Sequence, residues 1–177
     1  KTLTGSEVAG QVVTLRGERL YSGLYLNELV LRLLHKNDAH LDLFVAYGDA
    51  IASLGGDKPV DKILRQFEFI LLEQLGYSFD LGIDGHSGGA VNEERWYHYH
   101  QEFGLVERRS SSSPDNPVFS GRDLLAIAAG EHNDSVRKTS KRLLRLVLSG
   151  HLGGKPLKSR ELFRRTVVPV KTVGEDK

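Results

Sequence analysis

Three strings in this chain bring reactive side chain types close together. Residues 85–89 read GHSGG, the G-x-S-x-G pattern of a nucleophile elbow. That device needs a buried strand before the serine and a helix after it, so that a strained turn exposes the hydroxyl. Here YSFDLGID precedes Ser87 and AVNEER follows, and the expectation is a plain Gly-rich loop. The second string, WYHYH at 96–100, sets His98 and His100 two residues apart, with His86, Glu93 and Glu94 nearby as further zinc donors. An i, i+2 pair on an extended segment is equally a stripe on one face of a small sheet. The chain has no Cys, which excludes disulfides and thiolate metal sites, and no metal or other cofactor is expected. The third string, GHLGGKPL, has the Gly-Lys of a P-loop but carries Pro156 where Ser or Thr would hold magnesium. No dinucleotide fingerprint occurs and no acid–base pair stands out. No catalytic residue is assigned, and a protein without a chemical step is expected.

The charge distribution is more informative than these strings. The formal net charge is +1, yet residues 137–165 hold ten basic side chains against the single acid Glu161, while residues 1–136 hold twelve basic against twenty acidic. Arg137, Lys138, Lys141, Arg142 and Arg145 recur at helical spacings along one flank, where like charges four apart repel and do nothing for folding. Lys155, Lys158, Arg160, Arg164 and Arg165 follow on a loop and a short helix opened by Ser159, whose first N–H groups are a second candidate phosphate holder. A concentrated positive field attracts phosphate polyanions. Few aromatics interleave with the charges in sequence, so the patch is expected to track a nucleic-acid backbone without reading bases. The alternative class is a protein-interaction module whose basic surface binds an acidic peptide.

These residues need a scaffold, and the hydropathy pattern supplies a mainly α one. A chain of 177 residues, 40% hydrophobic, can bury a core as one domain or one with a small appendage. No apolar run reaches membrane-spanning length and the N-terminus is not a signal peptide, so a soluble protein is expected, with no membrane partner. The chain starts at Lys and contains no Met, which reads as the C-terminal part of a longer polypeptide. Residues 1–20 alternate like the remnant of a strand ending in a Gly turn. From Tyr21 a helix carries Leu24, Leu26, Leu29, Val30, Leu33 and Leu34 on one wide apolar face. A second, from about His40 to Leu54, carries Leu41, Phe44, Val45, Ile51 and Leu54; a third follows Pro59 and stops at Gly76. Between Tyr77 and Phe119 the helical period gives way to short strands and loops. Helices resume at Ser120, with a capping pattern to Asp123, and near Asn133. The expected architecture is a helical bundle formed by 21–76 and 120–165, with a small β- and loop-rich insertion at 77–119 and a tail at 166–177.

LYSGLYLNELVLRLL (20–34), LRQFEFILLEQLGY (64–77) and LGGKPLKSRELF (152–163), in this order and separation, resemble the C-terminal two-thirds of the bacterial DNA repair proteins of the RecO family. The resemblance spans nearly the whole chain. It implies a recombination mediator, cytoplasmic and nucleoid-associated, that binds single- and double-stranded DNA and anneals complementary strands. It further implies binding to the C-terminal tail of the single-stranded DNA-binding protein and, with RecR, the loading of RecA. The family fold is an N-terminal OB barrel, a helical domain and a zinc-finger-like region; here residues 1–20 match only the end of the barrel. Many members bind zinc through four Cys in the stretch matching Tyr77 to Tyr99. Their absence here implies a metal-free version packed around Trp96, Tyr97 and Tyr99.

The resemblance also supplies a ligand for Arg65. An acidic, Phe-terminated tail needs an apolar slot and a cation, and Arg65 with Leu64 and Phe69 on the third helix offers both. On this reading Arg65→Ala weakens the peptide and barely changes thermal stability. Otherwise Arg65 is an ordinary surface partner of Asp61 or Glu68.

Overall fold

The computed structural model describes residues 12–36, 38–109, 116–153 and 155–165. Among the described residues, six helices and a three-stranded sheet share one hydrophobic core. Helix α1 (Gly17–Leu33) begins four residues earlier than the periodicity implies, at a glycine with φ 54°. Residues 12–16 pair in no sheet, so the described part of the expected strand remnant is not a strand. Instead, Leu15 and Val13 lie across α1 and the end of the next helix, α2 (Leu41–Leu54). A Cβ on Gly55 would come 2.6 Å from Val13, which explains a glycine there better than chain reversal does. Arg19 fastens the same junction by donating to the Leu54 and Lys58 carbonyls, at 3.0 and 3.3 Å.

Helix α2 (Leu41–Leu54) buries Leu43, Ala50 and Leu54. Ile51 packs against the core as well, but three other apolar residues read onto this helix do not: Leu41, Phe44 and Val45 are exposed, Phe44 to 75%. They lie on the far side of the helix, since α2 meets the bundle along one stripe only. Helix α3 (Val60–Gln74) buries Ile63, Phe67, Leu71 and Leu72 and ends as the sequence implies. Gly76 takes φ 76°, its N–H reaches the Glu73 carbonyl, and the Tyr77 N–H reaches Leu72 at 2.8 Å, a Schellman closure.

Strands β1 (Trp96–His100), β2 (Gly104–Glu107) and β3 (Val118–Ser120) form an antiparallel sheet in the order β2-β1-β3. Tyr97, Leu105 and Phe119 turn inward and join the helical core. The expectation that Trp96 packs alongside them fails: alternation along β1 turns it outward, 54% exposed. Helix α4 (Gly121–Ala128) is capped by Ser120, whose Oγ accepts from the Asp123 N–H at 3.2 Å. Asp123 accepts in turn from Ser135 and Thr139, tying α4 to α5 (Asp134–His151), which Asn133 caps. Helix α6 (Ser159–Arg165) lies against α1. No helix among the described residues is long and apolar enough to cross a membrane.

Candidate nucleic-acid interface

The basic residues of α5 take the positions their spacing implies. Val136, Leu143, Leu144, Val147 and Leu148 are buried, and Arg137, Lys138, Lys141, Arg142 and Arg145 are exposed on the opposite flank. Two of the five have structural attachments. Arg137 pairs with Asp61 of α3 and Asp134 at 3.7 and 3.2 Å. Arg142 donates to the Val118 carbonyl and lies 4.7 Å from the centre of the Phe119 ring. Lys138, Lys141 and Arg145 form no ion pair among the described residues, nor do Lys155 and Lys158 on the loop before α6. Arg160 lies half-buried, 5.9 Å over the Tyr25 ring. The side chains of Arg164 and Arg165 lie outside the described residues, as do residues 166–177 and 1–11.

The loop holding Lys155 and Lys158 is fixed from α1. Glu28 accepts from the Lys158 N–H (2.9 Å), the Ser159 N–H (2.8 Å) and the Ser159 hydroxyl (2.7 Å). One turn on, Arg32 donates to the carbonyls of Leu152, Lys155 and Pro156 at 2.9 to 3.1 Å. Burial opposes ionisation of Glu28, but the Ser159 and Lys158 donors and the Arg32 charge outweigh it and hold the carboxyl below its usual range. This arrangement overturns one expectation. The N–H groups at the start of α6 already serve a carboxylate, so they hold no phosphate. It also gives a physical reason for the two most distinctive strings of the sequence, since LYLNELVLR and GGKPLKS are hydrogen-bonded to each other.

Arg65 is not a surface residue paired at the rim. It is largely buried and bonds Glu68, which is 1% exposed and also accepts from the Tyr25 hydroxyl at 2.6 Å. Burial pushes the Glu68 carboxyl up despite the Arg65 charge, and burial with the Glu68 charge pushes Tyr25 up. Removing Arg65 therefore strands a buried carboxylate, and the expected indifference of thermal stability to Arg65→Ala does not hold. Around this pair opens a hollow of about 350 Å³ between α1, α3, α5 and α6. Arg65 and Leu64 line it together with Lys141, Arg145, Arg160 and Phe163. Phe69 does not; it packs against the core one turn further along α3, and Phe163 supplies the aromatic wall.

Glu28 and Arg32 escaped the sequence reading, and Glu68, named only as a surface partner for Arg65, was not read as buried. The available signal for Glu68 was its position among Leu64, Leu71 and Leu72, three or four residues away on an otherwise buried face. For Glu28 and Arg32 it was their i, i+4 spacing within a distinctive string.

In the small β region the serine and histidines take no catalytic arrangement. Ser87 sits in a turn, its Oγ accepting from the Gly89 N–H at 3.2 Å, with no strand before it. Zinc of the kind the resemblance attributes to many family members does not fit these residues. There is no thiolate, and among the described residues no cluster of three His, Asp or Glu has the geometry for a metal ion. The buried Asp84 braces this region. Its carboxylate accepts from the N–H groups of His86 (2.8 Å), Ser87 (3.0 Å) and Glu107 (3.0 Å), joining the 82–91 loop to β2. Burial alone would push its pKa up, but the Ser87, Glu107 and His86 donors prevail and hold Asp84 below the usual carboxylate range.

Comparison with known proteins agrees with this architecture. Residues 15–161 match the family model described as recombination protein O C terminal. A DNA repair protein RecO from Azoarcus sp. (strain BH72) is 42% identical over 93% of this chain and 69% of its own length. Those of Actinobacillus succinogenes and Haemophilus influenzae are 40% and 41% identical, each over 97% of this chain and about 70% of their own lengths. Both interlocked strings lie within the matched residues, and the chain is a member of the RecO family of DNA repair and recombination proteins.

Proposed function

We propose that this chain acts as a recombination mediator: it binds single- and double-stranded DNA through phosphates, promotes annealing and, with RecR and the single-stranded DNA-binding protein, supports RecA loading in the bacterial cytoplasm. It performs no chemical step. The observation that carries the reading is the set of exposed cations without carboxylate partners among the described residues, on α5 and on the loop that Glu28 and Arg32 hold against α1. Charge left unpaired on a rigid support suits a polyanion, and contacts made to phosphates suit one of any sequence. With six phosphates engaged, affinity for an oligonucleotide should fall on the order of a thousandfold between low and moderate salt. Fluorescence anisotropy across a salt series checks this. A flat response, or no loss on replacing Lys138, Arg145 and Lys158 together by Ala, removes the phosphate surface.

A second ligand is favoured by the hollow at Arg65. Four cations beside Leu64 and Phe163 fit an acidic peptide with an apolar end, such as the tail of the single-stranded DNA-binding protein. Since Arg65 also stabilises Glu68, Arg145→Ala is the cleaner probe of this site. Peptide affinity unchanged in that variant would exclude Arg145 from it.

A further inference from the structure

The sequence keeps its aromatics apart from its basic run, but the fold brings one of them back. We propose that Trp96 is a stacking platform for an unpaired nucleobase of a single strand whose phosphates lie on the basic flank of α5, an inference that rests on the phosphate-binding reading above.

Alternation along β1 sends Tyr97 into the core and Trp96 to the outer face, where more than half of the largest apolar side chain type is left to solvent. The backbone around it is fixed. The Arg108 N–H donates to the Trp96 carbonyl at 2.7 Å, and the register sets Trp96 opposite Ser120 on the other side. A hollow of about 400 Å³ opens beside the indole, lined by Arg95, Arg108, Val118 and two acids, Glu94 and Glu107. Arg95 pairs with Glu107 at 3.3 Å, whereas Arg108 forms no ion pair among the described residues. An aromatic face next to a free guanidinium is the combination that holds a base and its phosphate together.

Continuity with α5 decides in favour of nucleic acid. Val118, which walls the hollow, gives its carbonyl to Arg142, so β3 is hydrogen-bonded on its far side to the basic helix. A strand lying along Lys138 and Arg142 reaches the indole by crossing β3 alone. Only a base without a stacked neighbour offers its face to a side chain, so the platform selects single-stranded over duplex DNA. A proline-rich peptide is the other ligand that an exposed Trp takes, and it lacks any use for Arg108 and Arg142.

Trp96 is the sole Trp of the chain, so its fluorescence reports this site directly. The full chain is titrated with a thymidine oligonucleotide, an abasic strand of equal length, a duplex and a proline-rich peptide, and oligonucleotide affinity is measured by anisotropy. The platform predicts quenching by the oligonucleotide and none by the abasic strand or duplex. Trp96→Ala should lose roughly tenfold in oligonucleotide affinity, with abasic affinity unchanged, and Trp96→Phe should recover most of the loss. Equal binding of both strands, unquenched and insensitive to Trp96→Ala, overturns the platform and leaves phosphate binding standing. Absence of binding to every nucleic acid overturns both. Quenching by the peptide alone assigns the site to protein.

Discussion

Two irregular stretches of this molecule, 152–159 and 82–91, are each shaped by a carboxylate that accepts from backbone N–H groups, and they differ in where that carboxylate comes from. Glu28 reaches the first from α1, 130 residues away, with Arg32 holding the carbonyls that precede it. Asp84 holds the second from inside the loop itself, two and three residues before its first two donors, and adds one bond to β2. The distant anchor leaves the loop's own side chains pointing outward as cations. The local anchor occupies a loop residue and leaves a compact turn. One mode makes a surface; the other closes a small region through hydrogen bonds to one carboxylate.

The 82–91 loop is most vulnerable at a glycine. A Cβ at Gly85 would come 1.5 Å from the Phe103 carbonyl oxygen, so the turn cannot keep its path. Gly85→Ala should destabilise the chain by about 3 kcal/mol or more, through the backbone displacement that so close a contact demands, read from denaturant midpoints. The 152–159 stretch, anchored independently, should keep its oligonucleotide affinity in whatever fraction remains folded. Parallel loss of both would show that the two regions are not separately held.

Removing the distant anchor comes next. Glu28→Gln retains shape but loses the charge that makes three hydrogen bonds strong, and about 2 kcal/mol of stability should go with it. Oligonucleotide affinity should fall too, although Glu28 is an acid and its loss raises net positive charge. A gain in affinity would mean that total charge matters and loop shape does not.

The smallest effect, and the sharpest, is in acid. Glu28 and Asp84 are both held below their ordinary carboxyl values when folded, so each contributes stability fully above those values. The contribution drains away as pH falls through the lower, folded-state values. Asp84→Asn should cost about 1.5 kcal/mol at neutral pH and flatten the loss of thermal stability below about pH 4, with Glu28→Gln removing the remainder. An acid limb unchanged in the double variant would locate the acid sensitivity elsewhere.

Helix positions were legible in the sequence wherever a boundary has its own chemistry. Gly76 closes α3, Asn133 opens α5 and Ser120 opens α4, each by a hydrogen bond that its side chain or backbone freedom supplies. The buried face of α5 was legible because five charges exclude the other side. The far side of α2 was not: period 3.6 marks Leu41, Phe44 and Val45 as apolar, but not which neighbours cover them. Trp96 was misplaced for a similar reason, since strand parity depends on which residue of WYHYH faces the core. The basic face was legible as composition, while its support was hidden. Glu28 and Arg32 look like helix-surface charges until the chain returns 120 residues later to meet them.

The clamp on 152–159 has a consequence for what can be exchanged there. Glu28 and Arg32 grip almost only main-chain atoms, and the buried side chains in the stretch are Leu152, Leu157 and Ser159. Lys155 and Lys158 carry no part of the loop's form. The same loop can therefore be recharged, from strongly basic to neutral or acidic, without being reshaped, so its attraction for a polyanion is adjustable independently of the architecture that displays it.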